Sequence, residues 1–153
     1  MSIEYYNTIM QNAFVLFLLL LWKHLMFDFV FQTEYMLRSK GKYFHVGGIN
    51  HSLLHIVATY LILIIWNVSS ASNYILYGGI HLKGVPISFS SIVLLVLCEF
   101  IVHYHTDYFK AKLSIRNNLT PIGDNRKIFW ALTGFDQWVH NTTYLCIVWY
   151  VIS

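Results

Sequence analysis

Four pairs of metal-capable side chains stand four residues apart within apolar stretches of this chain: His24/Asp28, His51/His55, His103/Asp107 and Asp136/His140. Residues at i and i+4 lie one above the other on the same helix face. Each pair therefore aims two ligands or proton carriers at one point. Four helices, each bringing one pair, build a polar site inside a helical bundle. Such groups are costly in apolar surroundings unless they are paired, hydrogen-bonded or bound to metal.

The columns are longer than the pairs. His24–Asp28–Gln32 and Glu99–His103–Asp107 continue at the same spacing. Asp28, Glu99, Asp107 and Asp136, four of the seven acids, sit inside apolar segments. One intramembrane carboxylate costs roughly 2.5–3.5 kcal/mol on insertion scales, so four unpaired would cost about 10 kcal/mol. That rivals the whole stability of a typical domain, so compensation by imidazole, metal or lysine is expected. Metal is the economical partner: imidazole nitrogen and carboxylate oxygen suit zinc, iron or manganese, and helical bundles build such sites from inward-facing side chains. The spacing is not the Glu-x-x-His of di-iron bundles, and no HExxH motif is present. Two metal-free readings stay open: structural His–Asp pairs across the bundle, and a proton or ion path.

Other residues carry narrower expectations. Gln137 adjoins Asp136 and can orient a ligand or water. Lys110, three residues after Asp107, shares its side of the helix and can bind a phosphate or carboxylate, or serve as a snorkelling topology lysine. His105 lies about 200° around the helix from His103 and reads as an interface histidine. His45 and His81 read as solvent-exposed. Cys98 and Cys146 read as small buried hydrophobes rather than a disulfide. The five tryptophans read as an interfacial belt.

The elements that must position these groups follow from composition. Of the 153 residues, 57% are hydrophobic and only 11% charged, against about 25% charged in soluble domains. Apolar runs over about 9–31, 49–67, 87–107 and 128–152 each have bilayer-spanning length. Residues 1–12 hold no Lys or Arg, so the first run reads as a retained helix, not a signal peptide. The predicted fold is all-α: one domain, residues 1–153, a four-helix transmembrane bundle in the lipid bilayer. Basic residues cluster in the first and third connections (Arg38, Lys40 and Lys42; Lys110, Lys112, Arg116, Arg126 and Lys127), which the positive-inside rule puts in the cytoplasm. Both termini then face the other side. All four pairs fall at one depth, so the polar His/Asp site is expected in the cytoplasmic half. The modest net charge of +3 and the absence of an aromatic-plus-basic stripe argue against nucleic acid as partner.

The stretches HLMFDFVFQ, HSLLH, HYHTDYFK and FDQWVHNTTY resemble an uncharacterised family of small integral membrane proteins of bacteria and tailed phages, known only as a domain of unknown function. The anchors of the resemblance are His24, Asp28, Gln32, His51, His55, His103, Asp107, Lys110, Asp136, Gln137 and His140. It covers most of the chain, and its final motif is more similar to phage members. It implies a polytopic inner-membrane protein and supplies no reaction. A looser similarity runs to inner-membrane proteins regarded as metal-dependent hydrolases; that is analogy of fold and motif.

The leading expectation is a metal-dependent membrane hydrolase acting on a lipid-linked or phosphate-containing substrate at the cytoplasmic interface. Its metal ligands would come from His24, Asp28, His51, His55, His103, Asp107, Asp136 and His140, holding one or two divalent ions. Glu99 or an unligated Asp would take a proton, Lys110 would bind the anionic group, and Gln137 would orient ligand or water. Two alternatives use the same residues differently: a metal-ion or proton transporter or channel, and a non-enzymatic phage effector that binds a host membrane protein.

Overall fold

Helix covers most of the residues that the computed structural model describes, 3–76 and 87–153. Helix α1 (Ile3–Leu25) runs into a π-helical turn, Met26–Val30. The short α2 (Glu34–Ser39) follows, then α3 (Val46–Leu76), α4 (Phe89–Arg116) and α5 (Arg126–Ile152). No strand occurs among the described residues. Helix α1 packs on α3 and α5, and α4 packs on α3 and α5. The four long helices therefore stand at the corners of a square, each antiparallel to its neighbours.

Three helices are long and apolar enough to cross a membrane, over Tyr6–Val30, Val46–Ser69 and Phe89–Arg116. Only 28% of each spanning window is buried, so most of their apolar side chains face outward. That is how helices solvated by lipid are built, whereas a water-soluble domain would hide such faces. Helix α5 is comparably long at 27 residues. Its first half is more polar, with Arg126, Lys127, Asp136, Gln137, His140 and Asn141.

The helices overrun the expected segments. Helix α4 continues to Arg116 because nothing between Asp107 and Arg116 breaks it: there is no Gly or Pro. It carries Lys110 and Lys112 beyond the expected span on a rigid rod. Helix α3 likewise runs through Leu76, into the expected second connection. The rest of that connection, with His81, Lys83 and its glycines, lies outside the described residues. Local chemistry sets the other ends. Ser88 caps α4 by accepting from the Ser91 amide at 3.1 Å. The Asn67 side chain exchanges two hydrogen bonds with the backbone of Ile87, tying the approach to α4 onto α3. His45, expected to be exposed, is half-buried; its Nδ1 accepts from the Gly47 amide, capping α3.

The interior is stratified. One end is an apolar core of Leu16, Leu20, Leu63, Trp66, Ile92, Val96, Ile147, Val148 and Val151. The other end holds buried polar groups. Cys98 and Cys146, expected inside, are exposed. In a bilayer the outside is as apolar as the core, so hydrophobicity alone does not sort a side chain inward. Trp66 departs from the expected belt in the opposite sense, being 8% exposed within the core.

Candidate metal centre

Each long helix turns its buried stripe from apolar to polar along its length. On α4 the stripe reads Ile92, Val96, Glu99, His103, Asp107, and on α5 it reads Asp136, His140, Tyr144, Ile147, Val151. The first polar layer above the apolar core takes one residue from each of four helices. Lys23 Nζ donates to Glu99 Oε1 at 2.6 Å, to Thr59 Oγ1 at 2.9 Å and to Tyr144 Oη at 3.1 Å. Lys23 and Glu99 are 2% and 1% exposed, so this is a fully desolvated ion pair.

Above it, all eight side chains expected as ligands converge. The His55 ring lies 4.0 Å from that of His103, and His103 lies 4.3 Å from His140, centroid to centroid. His24 is 4.8 Å from His140, and His51 is 4.7 Å from His55. Ligand atoms of Asp28, His51, His55 and His103 all fall within 4.8 Å of one another, and so do those of His103, Asp107 and His140. His24 and Asp136 flank these two groups. His24 Nε2 is 3.1 Å from Asp28 Oδ2, and Asp136 Oδ1 is 3.5 Å from His140 Nε2.

The π-helical turn aims Asp28 inward. Its Phe31 amide bonds to the Met26 carbonyl, five residues back, at 2.8 Å. Such a bulge widens the helix, and bulges of this kind are frequent at functional sites. Asp28 thereby meets three imidazoles: His24, His51 at 2.9 Å and His55 at 3.3 Å.

Lysines neutralise the other acids. Lys40 Nζ is 2.8 Å from Asp107 Oδ2, and Lys110 Nζ donates to Asp136 Oδ2 at 2.9 Å. With Lys23 on Glu99, three ammonium groups face four carboxylates. With neutral imidazoles one negative charge remains. It centres on Asp28, whose nearest lysine nitrogen, that of Lys40, is 3.9 Å away.

The residues present fit a divalent cation. Both ring nitrogens of His55, both of His103, and Nε2 of His140 are buried without a hydrogen-bond partner among the described residues. Their carboxylate contacts, 3.3 Å for His55 and 3.4 Å for His103, are close but poorly directed. Each unsatisfied buried group costs about 1–3 kcal/mol. A cation can take one nitrogen from a ring, and nitrogen and carboxylate donors around a residual negative charge suit zinc, iron or manganese.

A tautomer can be assigned to His24 from its neighbours. His24 Nε2 faces two acceptors, Asp28 Oδ2 and Gln137 Oε1, both at 3.1 Å, so it carries a proton. Nδ1 lies 2.9 Å from Tyr144 Oη, which also accepts from Lys23. Gln137 also donates to Asp136 Oδ2 at 3.2 Å. Gln32, with its amide turned to satisfy both neighbours, accepts from Lys40 Nζ at 2.6 Å and donates to the Asp28 carbonyl at 3.2 Å. His105 stays apart: its Nδ1 donates to the Ile101 carbonyl at 2.7 Å, and Tyr43 reaches its Nε2 at 3.2 Å.

The cluster opens into a cavity of about 550 Å³. Asp28, Asp107, Gln32, Gln137, Lys40 and Lys110 form its polar floor, and Phe29, Leu37, Phe129 and Trp130 its apolar walls. Lys40 reaches the floor because α2 folds back over α3. Thr33 caps α2 by accepting from the Met36 amide, and Gly47 on α3 lets Ser39 approach where any Cβ would collide with it.

Sequence reasoning missed Tyr144, Thr59, Lys23 and Lys40 as members of this assembly, though it named Glu99. Tyr144 and Thr59 continue the columns at four residues past His140 and His55. Lys23 and Glu99 are opposite charges in facing apolar runs, a legible pair. Lys40 counted only as a topology charge, and nothing local announces its return to the site.

Fold and site define a class: an all-helical protein of membrane-spanning character with a buried histidine–aspartate cluster under an amphipathic cavity. The chain belongs to the family described as "Protein of unknown function (DUF3307)", whose profile matches residues 15–153 and so contains every residue of the cluster. No curated protein and no solved structure matches it.

Proposed function

We propose that this protein is a metal-dependent membrane hydrolase acting on a lipid-linked or phosphate-containing substrate at the cytoplasmic face. In this reading α5 is a fourth span, the chain sits in a bacterial (host) inner membrane, and both termini face away from the cytoplasm. The observation that carries the proposal is the convergence of unpartnered imidazole nitrogens on Asp28 and Asp107 beneath a lysine-lined cavity.

Asp28, His51, His55 and His103 would hold a divalent ion, with His103, Asp107 and His140 as the adjoining ligand set. Such an ion, when bound, would lower the pKa of a bound water and polarise the scissile ester. The remaining chemistry belongs to the chain. Lys40 and Lys110 hold the anionic group, each through donors left over from its carboxylate partner. Gln137, fixed by His24 and Asp136, orients the attacking water. Asp136 is the nearest carboxylate to Gln137 and Lys110 outside the two ligand sets, and takes the proton. Glu99, held by Lys23, acts through the hydrogen-bonded line to Tyr144 and His24. The apolar core closes the other half of the bundle, which weighs against a through-going ion path.

Elemental mass spectrometry on protein purified in mild detergent without chelator tests the reading, beside Asp28→Ala, Asp107→Ala and His140→Ala. Stoichiometric zinc, manganese or iron in the wild type, lost in the variants, together with release of phosphate or alcohol from a phosphoester panel, is expected. Metal-free, monodisperse wild-type protein overturns it.

A further inference from the structure

Lys110 lines two cavities at once. One is the central cavity above the histidine–aspartate cluster. The other is a groove of about 430 Å³ between α4 and α5, walled by Val102, Thr106 and Phe109 on one side and Leu132 and Phe135 on the other. That groove is almost wholly apolar, yet its lining includes the Lys110–Asp136 ion pair. The Lys110 side chain is 27% exposed while Asp136 is 1% exposed, so the ammonium is the accessible charge.

We propose that the groove is a lateral portal for a membrane lipid that ends in a phosphate monoester headgroup. The headgroup reaches Lys110 and, beyond it, Lys40 in the central cavity, while an acyl chain lies between α4 and α5. This deepens the hydrolase reading by naming its substrate class, and rests on that reading for the chemistry. Charge complementarity selects the occupant. An apolar wall ending in a reachable ammonium matches a chain ending in a phosphate. A chain leaving the bilayer for an apolar groove exchanges one hydrocarbon environment for another, so the groove need only offer a shape. The selectivity comes from the headgroup and Lys110.

The test is native mass spectrometry of the detergent-purified protein titrated with dioleoyl phosphatidate, dioleoyl phosphatidylcholine or water-soluble dibutanoyl phosphatidate, with metal content read on the same samples. Wild type should retain dioleoyl phosphatidate at least about tenfold better than phosphatidylcholine, whose choline covers the phosphate that Lys110 would hold. Thr106→Trp or Leu132→Trp, which fill the groove from opposite walls, should lower dioleoyl phosphatidate retention about tenfold. Both should leave dibutanoyl phosphatidate binding and metal content unchanged. Lys110→Gln should lose both phosphatidates. Equal retention of the two dioleoyl lipids, or undiminished dioleoyl phosphatidate in the groove-filled variants, overturns the portal. If only the dibutanoyl compound binds, free phosphate esters are the ligand and the portal falls. A diazirine on the acyl chain checks the unsubstituted protein: label concentrated on the groove residues supports the portal, and label spread over all lipid-facing helices overturns it. Selective lipid retention by metal-free protein would sink the metallohydrolase reading and leave the portal standing; metal without lipid selectivity would do the reverse.

Discussion

The two halves of this bundle use the same four helices and are held together by different physics. In the apolar half, Leu16, Leu20, Leu63 and Ile92 are 0–1% exposed, yet lipid outside is as apolar as their neighbours. Burial there gains close packing and little transfer free energy. In the polar half, every buried group has an alternative in water that it has given up, so each must be answered by a specific partner. The apolar half tolerates approximate answers; the polar half does not.

The largest effect that can break this contrast is at the layer between the halves. Lys23→Met leaves Glu99 buried and uncompensated, and should destabilise by about 3–5 kcal/mol. The double change Lys23→Met with Glu99→Leu should recover most of that, because two apolar groups of similar size need no partner. Unfolding in detergent micelles followed by circular dichroism measures both. If single and double variants are equally mild, water reaches the layer and the halves are less distinct than drawn here.

Next comes the apolar half itself. Leu63→Ala should cost about 2–3 kcal/mol through the cavity it leaves, with metal content unchanged. A loss of metal in this variant would mean that packing below the cluster positions the ligands, and that the two halves are coupled.

The contrast also explains what could be read from the sequence. All eight histidine and aspartate ligand candidates meet, because a polar residue in an apolar run has few places to go and the four-residue spacing puts each pair on one face. Placement of the apolar residues was not legible: Cys98 and Cys146 look outward and Trp66 inward, since lipid and core are equally good solvents for them. Lys40 was hidden for another reason. Its position depends on α2 turning back over Gly47, a tertiary contact with no periodic signature. The π-helical turn at Asp28 was hidden too, because i+4 spacing reads the same whether the helix is regular or bulged.

Gly47→Val probes that hidden contact with a smaller effect. A side chain there overlaps Ser39, so α2 must shift, at about 1–3 kcal/mol. Lys40, now 10% exposed, should become readily acylated by a water-soluble reagent. Unchanged Lys40 reactivity would show that the turn around residues 40–45 holds the lysine without α2. That turn has its own anchor: the Phe44 amide donates to Tyr104 Oη at 2.6 Å.

The smallest expected effect lies on the outer surface. Cys98→Ala and Cys146→Ala remove side chains that face outward from α4 and α5, and each should change stability by less than about 0.5 kcal/mol. In the unsubstituted protein, a membrane-permeant maleimide should react with both thiols more readily in micelles than a charged one does, if α5 is the fourth span proposed above and hydrocarbon surrounds both thiols. Rapid reaction with the charged reagent would place water against these faces. Burial of either thiol in a larger assembly would instead abolish reaction with both reagents, and α4 or α5 would then be a protein interface where the contrast drawn here requires lipid.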